Sequence, residues 1–111
     1  MSLVTIRTAD GLDAVLDEDH WRTHITNRHP QMLPYQDLVI ETLKNPEGVY
    51  RGRRDRNTRI YTRSYSKILV GERLIEKTNL RVFVREENGF VATAYFAVAE
   101  LRGLGERIWP S

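Results

Sequence analysis

Apolar residues change their spacing twice along this chain, from period two to a helical repeat and back to period two. Val4-Thr5-Ile6 alternates, Asp10-Gly11 is a turn signal, and Leu12 to Leu16 returns, which predicts an opening hairpin. Asp17 then stands where a helix N-cap belongs, and Glu18 and Asp19 put negative charge in the first turn, where the helix dipole favours it. Trp21 and Ile25, four apart, form the apolar stripe of that helix. It should stop near Arg28, because Pro30 pushes His29 out of helical geometry. Pro34 suits the first position of a second helix, with Tyr35, Leu38, Val39, Thr42 and Leu43 on one face and Asn45-Pro46 as its end.

From there the alternating pattern predicts strands near 48–52, 58–65, 67–71, 79–86 and 90–97. Asn88-Gly89 is a two-residue hairpin signal. A register set by that turn places Val84 opposite Thr93, Val82 opposite Tyr95 and Phe83 opposite Ala94. One face then carries Leu80, Val82, Val84, Val91, Thr93 and Tyr95, and the other Arg81, Phe83, Arg85, Phe90, Ala92, Ala94 and Phe96. Small alanines permit close approach, so the Phe/Ala face is assigned to the helices and Thr93 and Tyr95 to the open face; the opposite assignment stays available. The expected fold is α+β, with two N-terminal helices packed on one face of a four- to five-stranded antiparallel sheet. Its 111 residues suffice for one domain with a core of about 17–97.

Charge adds a local feature that the net value of +2 conceals. Residues 1–47 hold four Lys or Arg against eight Asp or Glu, residues 48–67 seven against one, and the remainder six of each. A compact positive segment on a nearly neutral chain points to a local anion site. Within it, Arg51, Arg53, Arg54, Arg56, Arg59 and Arg63 are interleaved with Tyr61 and Tyr65, and Arg59-Tyr61-Arg63-Tyr65 repeats at period two. On a strand that repeat lines up guanidinium groups and rings on one surface, a stripe suited to phosphate and to unpaired bases. The same pattern also describes an edge strand kept soluble by charge.

Chemistry concentrates in a second place. His20, Trp21, His24, Arg28 and His29 crowd into ten residues, and His20, His24 and Arg28 recur every four along one side of the first helix. A histidine at the border of core and solvent is suited to proton transfer, or simply pairs with Asp17 or Asp19. Metal is not expected, because the spacing lacks the glutamate of HExxH and a third ligand would have to be improvised from Asp17 or Asp19. With no cysteine, disulfide and thiolate chemistry are excluded. No apolar stretch approaches the ~20 residues of a membrane span and no basic-then-apolar leader opens the chain, so a cytoplasmic protein without a membrane partner is expected.

The order of these pieces resembles the barnase/EndoU/colicin/RelE-like ribonuclease superfamily, in its small phage-associated or toxin-type members. The run Trp21-Arg22-Thr23-His24-Ile25-Thr26-Asn27-Arg28-His29-Pro30, a helix ending in Asn45-Pro46, a basic tyrosine-bearing strand and the strand Val91-Ala92-Thr93-Ala94-Tyr95-Phe96 carry the likeness over about residues 17–97. The resemblance implies metal-independent RNA cleavage on the open face of an antiparallel sheet, without a cofactor. It places His24, Arg63, Thr93 and Tyr95 in the catalytic site. Arg51, Arg53, Arg54, Arg59, Tyr61 and Tyr65 would bind RNA, with His20, Arg28 and His29 in support and an antitoxin or immunity protein as a further partner. Chemically, such cleavage needs proton transfers and cations around the growing phosphorane charge. A different class of reading is a catalytically inactive RNA- or protein-binding module of the same fold. The discriminating observation is whether His24 shares a cleft with Arg63 and Thr93.

Overall fold

The opening residues form the hairpin that their alternation predicts: β1 (Leu3–Arg7) pairs antiparallel with β2 (Asp13–Asp17), Ile6 facing Ala14 in register. In this computed structural model, which describes residues 3–97 and 103–110, two helices follow. The first covers residues 18–28. Asp17 caps it by accepting a hydrogen bond from the Asp19 backbone amide, and α-helical turns at Glu18–His20 and Thr26–Arg28 flank a π-helical stretch, Trp21–Ile25. His29 breaks it at φ −128°, ψ 75°, the extended geometry that Pro30 imposes. The expected second helix is divided. Pro30–Tyr35 winds as a 3₁₀ segment, and the α-helix proper is Gln36–Lys44, burying Val39, Thr42 and Leu43.

Five strands form an antiparallel sheet in the order β6-β5-β4-β3-β7, built from β3 (Gly48–Gly52), β4 (Thr58–Val70), β5 (Arg73–Arg85), β6 (Val91–Ala97) and β7 (Leu104–Trp109). The α+β class with two helices and five antiparallel strands is therefore as expected, although the helices lie between the opening hairpin and the sheet. Two expected strands, 58–65 and 67–71, are one, with Lys67 at φ 55° where they meet. Strand β7 was not expected. It pairs with β3 in an irregular register.

The register across β5 and β6 corrects the expectation. Asn88-Gly89 does not make a two-residue turn: Arg85 pairs with Phe90 across a four-residue loop, and the Asn88 side chain accepts from the Phe90 amide. Ala92 is then an extra residue, so Val84 faces Val91 while Phe83 faces Thr93, Val82 faces Ala94 and Arg81 faces Tyr95. A bulge of this kind swaps the faces of everything beyond it. The face expected to be open, Leu80, Val82, Val84 and Val91, is fully buried in the core with Trp21, Ile25, Leu43, Tyr61 and Ala94. Thr93 and Tyr95 keep the open face, but with Arg81 and Phe83 beside them.

Gly89 is the tightest point of this corner. Its φ is +74° and a Cβ there would overlap the Asp13 carbonyl oxygen, while the Gly89 carbonyl accepts from the Val15 amide at 2.7 Å. Gly89→Ala should therefore combine left-handed strain with a backbone clash and cost about 2–4 kcal/mol. Urea unfolding of the variant checks this, and a midpoint equal to that of the parent would refute it.

Candidate nucleic-acid interface

The Arg-Tyr stripe is present, but it faces the helices. Tyr61 lies opposite Val82 in the sheet and is fully buried; its hydroxyl donates to Asp10 Oδ1 at 2.7 Å. Burial first, and then the Asp10 carboxylate, push its pKa up. Tyr65 packs its hydroxyl on Thr42 Oγ1 (3.0 Å) and the Leu38 carbonyl (3.2 Å) of the second helix. Arg59 bonds Glu86 through Nε (3.0 Å) and Asp10 through Nη1 (2.8 Å). Burial opposes the Arg59 charge, and these two carboxylates outweigh it and raise the pKa. Arg51 is held by Glu86 (3.0 Å) and Glu106 (3.5 Å), and Arg56 by Glu106 (2.9 Å). Arg63 donates to the Asn45 carbonyl at 2.7 Å and sits 5.9 Å from the Tyr65 ring centre. Most of the positive segment thus joins structural elements to one another.

Two arginines escape this. Arg53 and Arg54 are exposed and, among the described residues, form no ion pair. They rim a cavity of about 540 Å³ on the open face, with Asp55, Thr58, Ile60, Arg81, Phe83 and Tyr95 also in its walls. The loop that presents them is fixed by its own hydrogen bonds: Asp55 accepts from the Asn57 amide (2.9 Å) and from Thr58 Oγ1 (3.1 Å). Phe83 and Tyr95 stack with ring centres 5.3 Å apart at 28°. Half-buried, they offer a flat aromatic face beside free guanidinium groups.

The histidines lie along the β6 edge. His20 Nε2 donates to the carbonyl of Ala92 at 2.8 Å, so the bulge residue supplies the acceptor, and the ring also meets Phe90 at 4.7 Å. His24 stacks on His20 at 4.6 Å and 17°. His29 packs on Tyr95 at 5.1 Å. Partial desolvation lowers the pKa of both His24 and His29, and their positive neighbours add to it: His20 and Arg28 for His24, Arg28 and His24 for His29. Both shifts favour the neutral imidazole, the form that accepts a proton.

Of the residues expected to form one site, the fold joins Tyr95 to His29 and sets Thr93 on the same face of the sheet. It does not gather the rest. Arg63 pairs with Leu80 in register and lies on the helix side, whereas Thr93 pairs with Phe83 on the open side, and among the described residues no hydrogen bond, ion pair or ring contact links His24 to either. Phe83 and Asp55 were not foreseen as site residues. Phe83 is an aromatic at period two from Arg81 and Arg85, a pattern that already marks a polar sheet face once the bulge is allowed for. Among the described residues no group of three His, Asp or Glu is placed to hold a metal ion. No helix among them is long and apolar enough to cross a membrane. Comparison with family models, curated proteins and solved structures returns no match.

The carboxylates that bind the arginines give a pH test of the inward-facing network. Hydrogen bonding from Arg59, against some burial, and then from Arg51 lowers the Glu86 pKa below its ordinary 4.5. A depressed carboxylate stabilises the fold above its unfolded pKa and loses that contribution as pH falls through the folded value. The melting temperature should decline below about pH 4.5, and Glu86→Gln should flatten that decline. Parallel Tm-against-pH curves for the two proteins would contradict this role.

Proposed function

We propose that this chain is a single-stranded RNA-binding module whose contact surface is the open face of the sheet. The supporting observation is the Phe83-Tyr95 ring pair set beside Arg53 and Arg54, two exposed guanidinium groups without carboxylate partners. Unpaired bases stack on such rings, and arginine forks bind the phosphates between them. The stripe at Arg59, Tyr61 and Tyr65 contributes rigidity, because a guanidinium already held by two carboxylates must lose one to take a phosphate.

Titrating a fluorescent oligouridylate at several salt concentrations tests the reading. Tyr95→Ala should weaken binding about tenfold, within the roughly 1–3 kcal/mol worth of one stacked base. Changing Arg53 and Arg54 together to Ala should flatten the log-log salt slope by about 1.4, at about 0.7 per phosphate contact. Arg63→Ala should leave the slope as it was. Equal slopes in all of these proteins would refute the open face as the contact surface.

One observation favours a second reading, metal-independent RNA cleavage in the cytoplasm by a toxin-like domain held in check by an inhibitor protein. It is the imidazole of His29, packed against Tyr95 at the border of the same surface. Cleavage that persists in EDTA and falls about 10²- to 10⁴-fold in His29→Gln would establish it. Intact RNA after prolonged incubation would leave binding alone.

A further inference from the structure

The edge of the sheet where the first helix ends gathers an arginine and two histidines that, among the described residues, no carboxylate answers. Arg28 is exposed and makes no ion pair among the described residues, and His24 and His29, on either side of it in sequence, are half-buried. The nearby acids are committed elsewhere: Asp17 caps the helix, Glu18 accepts from Gln36, and Asp19 pairs with Arg22. Among the described residues, β6 and the 3₁₀ segment, the elements packed against the first helix, carry no acidic residue. Strand β6 contributes Tyr95, against His29, and the β5 end contributes Arg85, whose guanidinium lies over Phe90, the ring that also meets His20.

We propose that His24, Arg28 and His29 form a second anion site that takes, with both imidazoles protonated, a phosphodiester of the same RNA strand whose base stacks on Tyr95. This rests on the RNA-binding reading of the open face. The geometry that joins the two sites is the His29 ring against Tyr95: a base laid on the tyrosine has the imidazole on one side and the Arg53-Arg54 side of the cavity on the other, so the phosphates on either side of that base meet different cations. Partial desolvation, with repulsion between the protonated groups added to it, favours the neutral pair while the site is empty. A bound phosphate reverses the balance, since charge-assisted hydrogen bonds from imidazolium and guanidinium are among the stronger ones available. Binding is then coupled to proton uptake, so affinity rises as pH falls through the histidine range and falls again as pH rises.

The test uses the full chain and two probes, inorganic phosphate and a short oligouridylate, with imidazole resonances followed by NMR across pH. Both probes should raise the His24 and His29 pKa values. Oligouridylate affinity should increase between pH 7.5 and 5.5 by up to about tenfold per pH unit for each proton taken up. Changing His24 and His29 together to Gln should remove that pH dependence; His20 is left in place because it bonds the bulge. Oligouridylate binding that is independent of pH, with imidazole titrations unmoved by either probe, would overturn this site and leave the open-face reading standing. Imidazole pKa values raised by inorganic phosphate, with no oligouridylate bound at any pH, would uphold the anion site and overturn the RNA reading instead.

Discussion

Arg59 is the residue on which the rest of this structure depends. It projects from β4 toward the helix side, where a lone guanidinium would be costly, and its charge is tolerated because Asp10 and Glu86 meet it from two other parts of the chain. Asp10 belongs to the turn of the opening hairpin and Glu86 to the loop after β5. Asp10 also accepts from Tyr61 and from Thr8, and Glu86 also accepts from Arg51. One charged side chain thus ties the opening hairpin, β3, β4 and the β5–β6 loop together. Removing Arg59 would leave the nearly buried Asp10 carboxylate without a cation, which is why such networks tolerate deletion poorly even where they add little net stability.

That arrangement explains why the arginine stripe reads ambiguously in the sequence. Period two establishes that Arg59, Tyr61, Arg63 and Tyr65 share a face, and they do. It does not say which face, because the carboxylates that make inward arginines tolerable are 49 and 27 positions away. Helix boundaries were legible where a local cause set them, as at Asp17 and at His29 before Pro30. The π-helical winding and the split of the second helix have no comparably local signal. The register of β6 was hidden for a related reason. An extra residue at Ala92 is stabilised by contacts from outside the hairpin, the His20 ring at its carbonyl and the Gly89 corner against β2. Pattern reasoning within the hairpin alone would assign the apolar face wrongly, yet Thr93 and Tyr95 reached the open side because the loop length and the bulge together displace β6 by one residue.

The candidate site shows the same division. Composition marks residues 51–63 as the anion-binding segment, and the fold places two of its six arginines where a ligand could reach them without breaking an ion pair or, as at Arg63, a hydrogen bond to a backbone carbonyl. Arg51, Arg56 and Arg59 sum with Arg53 and Arg54 in any count of charge, but differ from them in what they can still bind. The histidines divide similarly: His20 is occupied by a backbone carbonyl, while His29 meets an open-face ring.

These paired and unpaired groups are mechanically connected. Arg51 and Arg56 flank the Arg53-Arg54 tip, and Glu106 of β7 holds both of them, with Glu86 adding a second grip on Arg51. Inside the loop, Gly52 approaches the Asp55 carbonyl so closely that a Cβ would overlap it, and Thr58 returns a backbone hydrogen bond to that carbonyl at 3.1 Å. A loop anchored at both ends and folded tightly in between loses little conformational freedom when it closes on a ligand. The ion pairs that withdraw three of the six arginines from binding thus include the contacts that hold Arg53 and Arg54 at the mouth of the cavity, so the inward network and the outward surface are two consequences of one charge-rich strand pair.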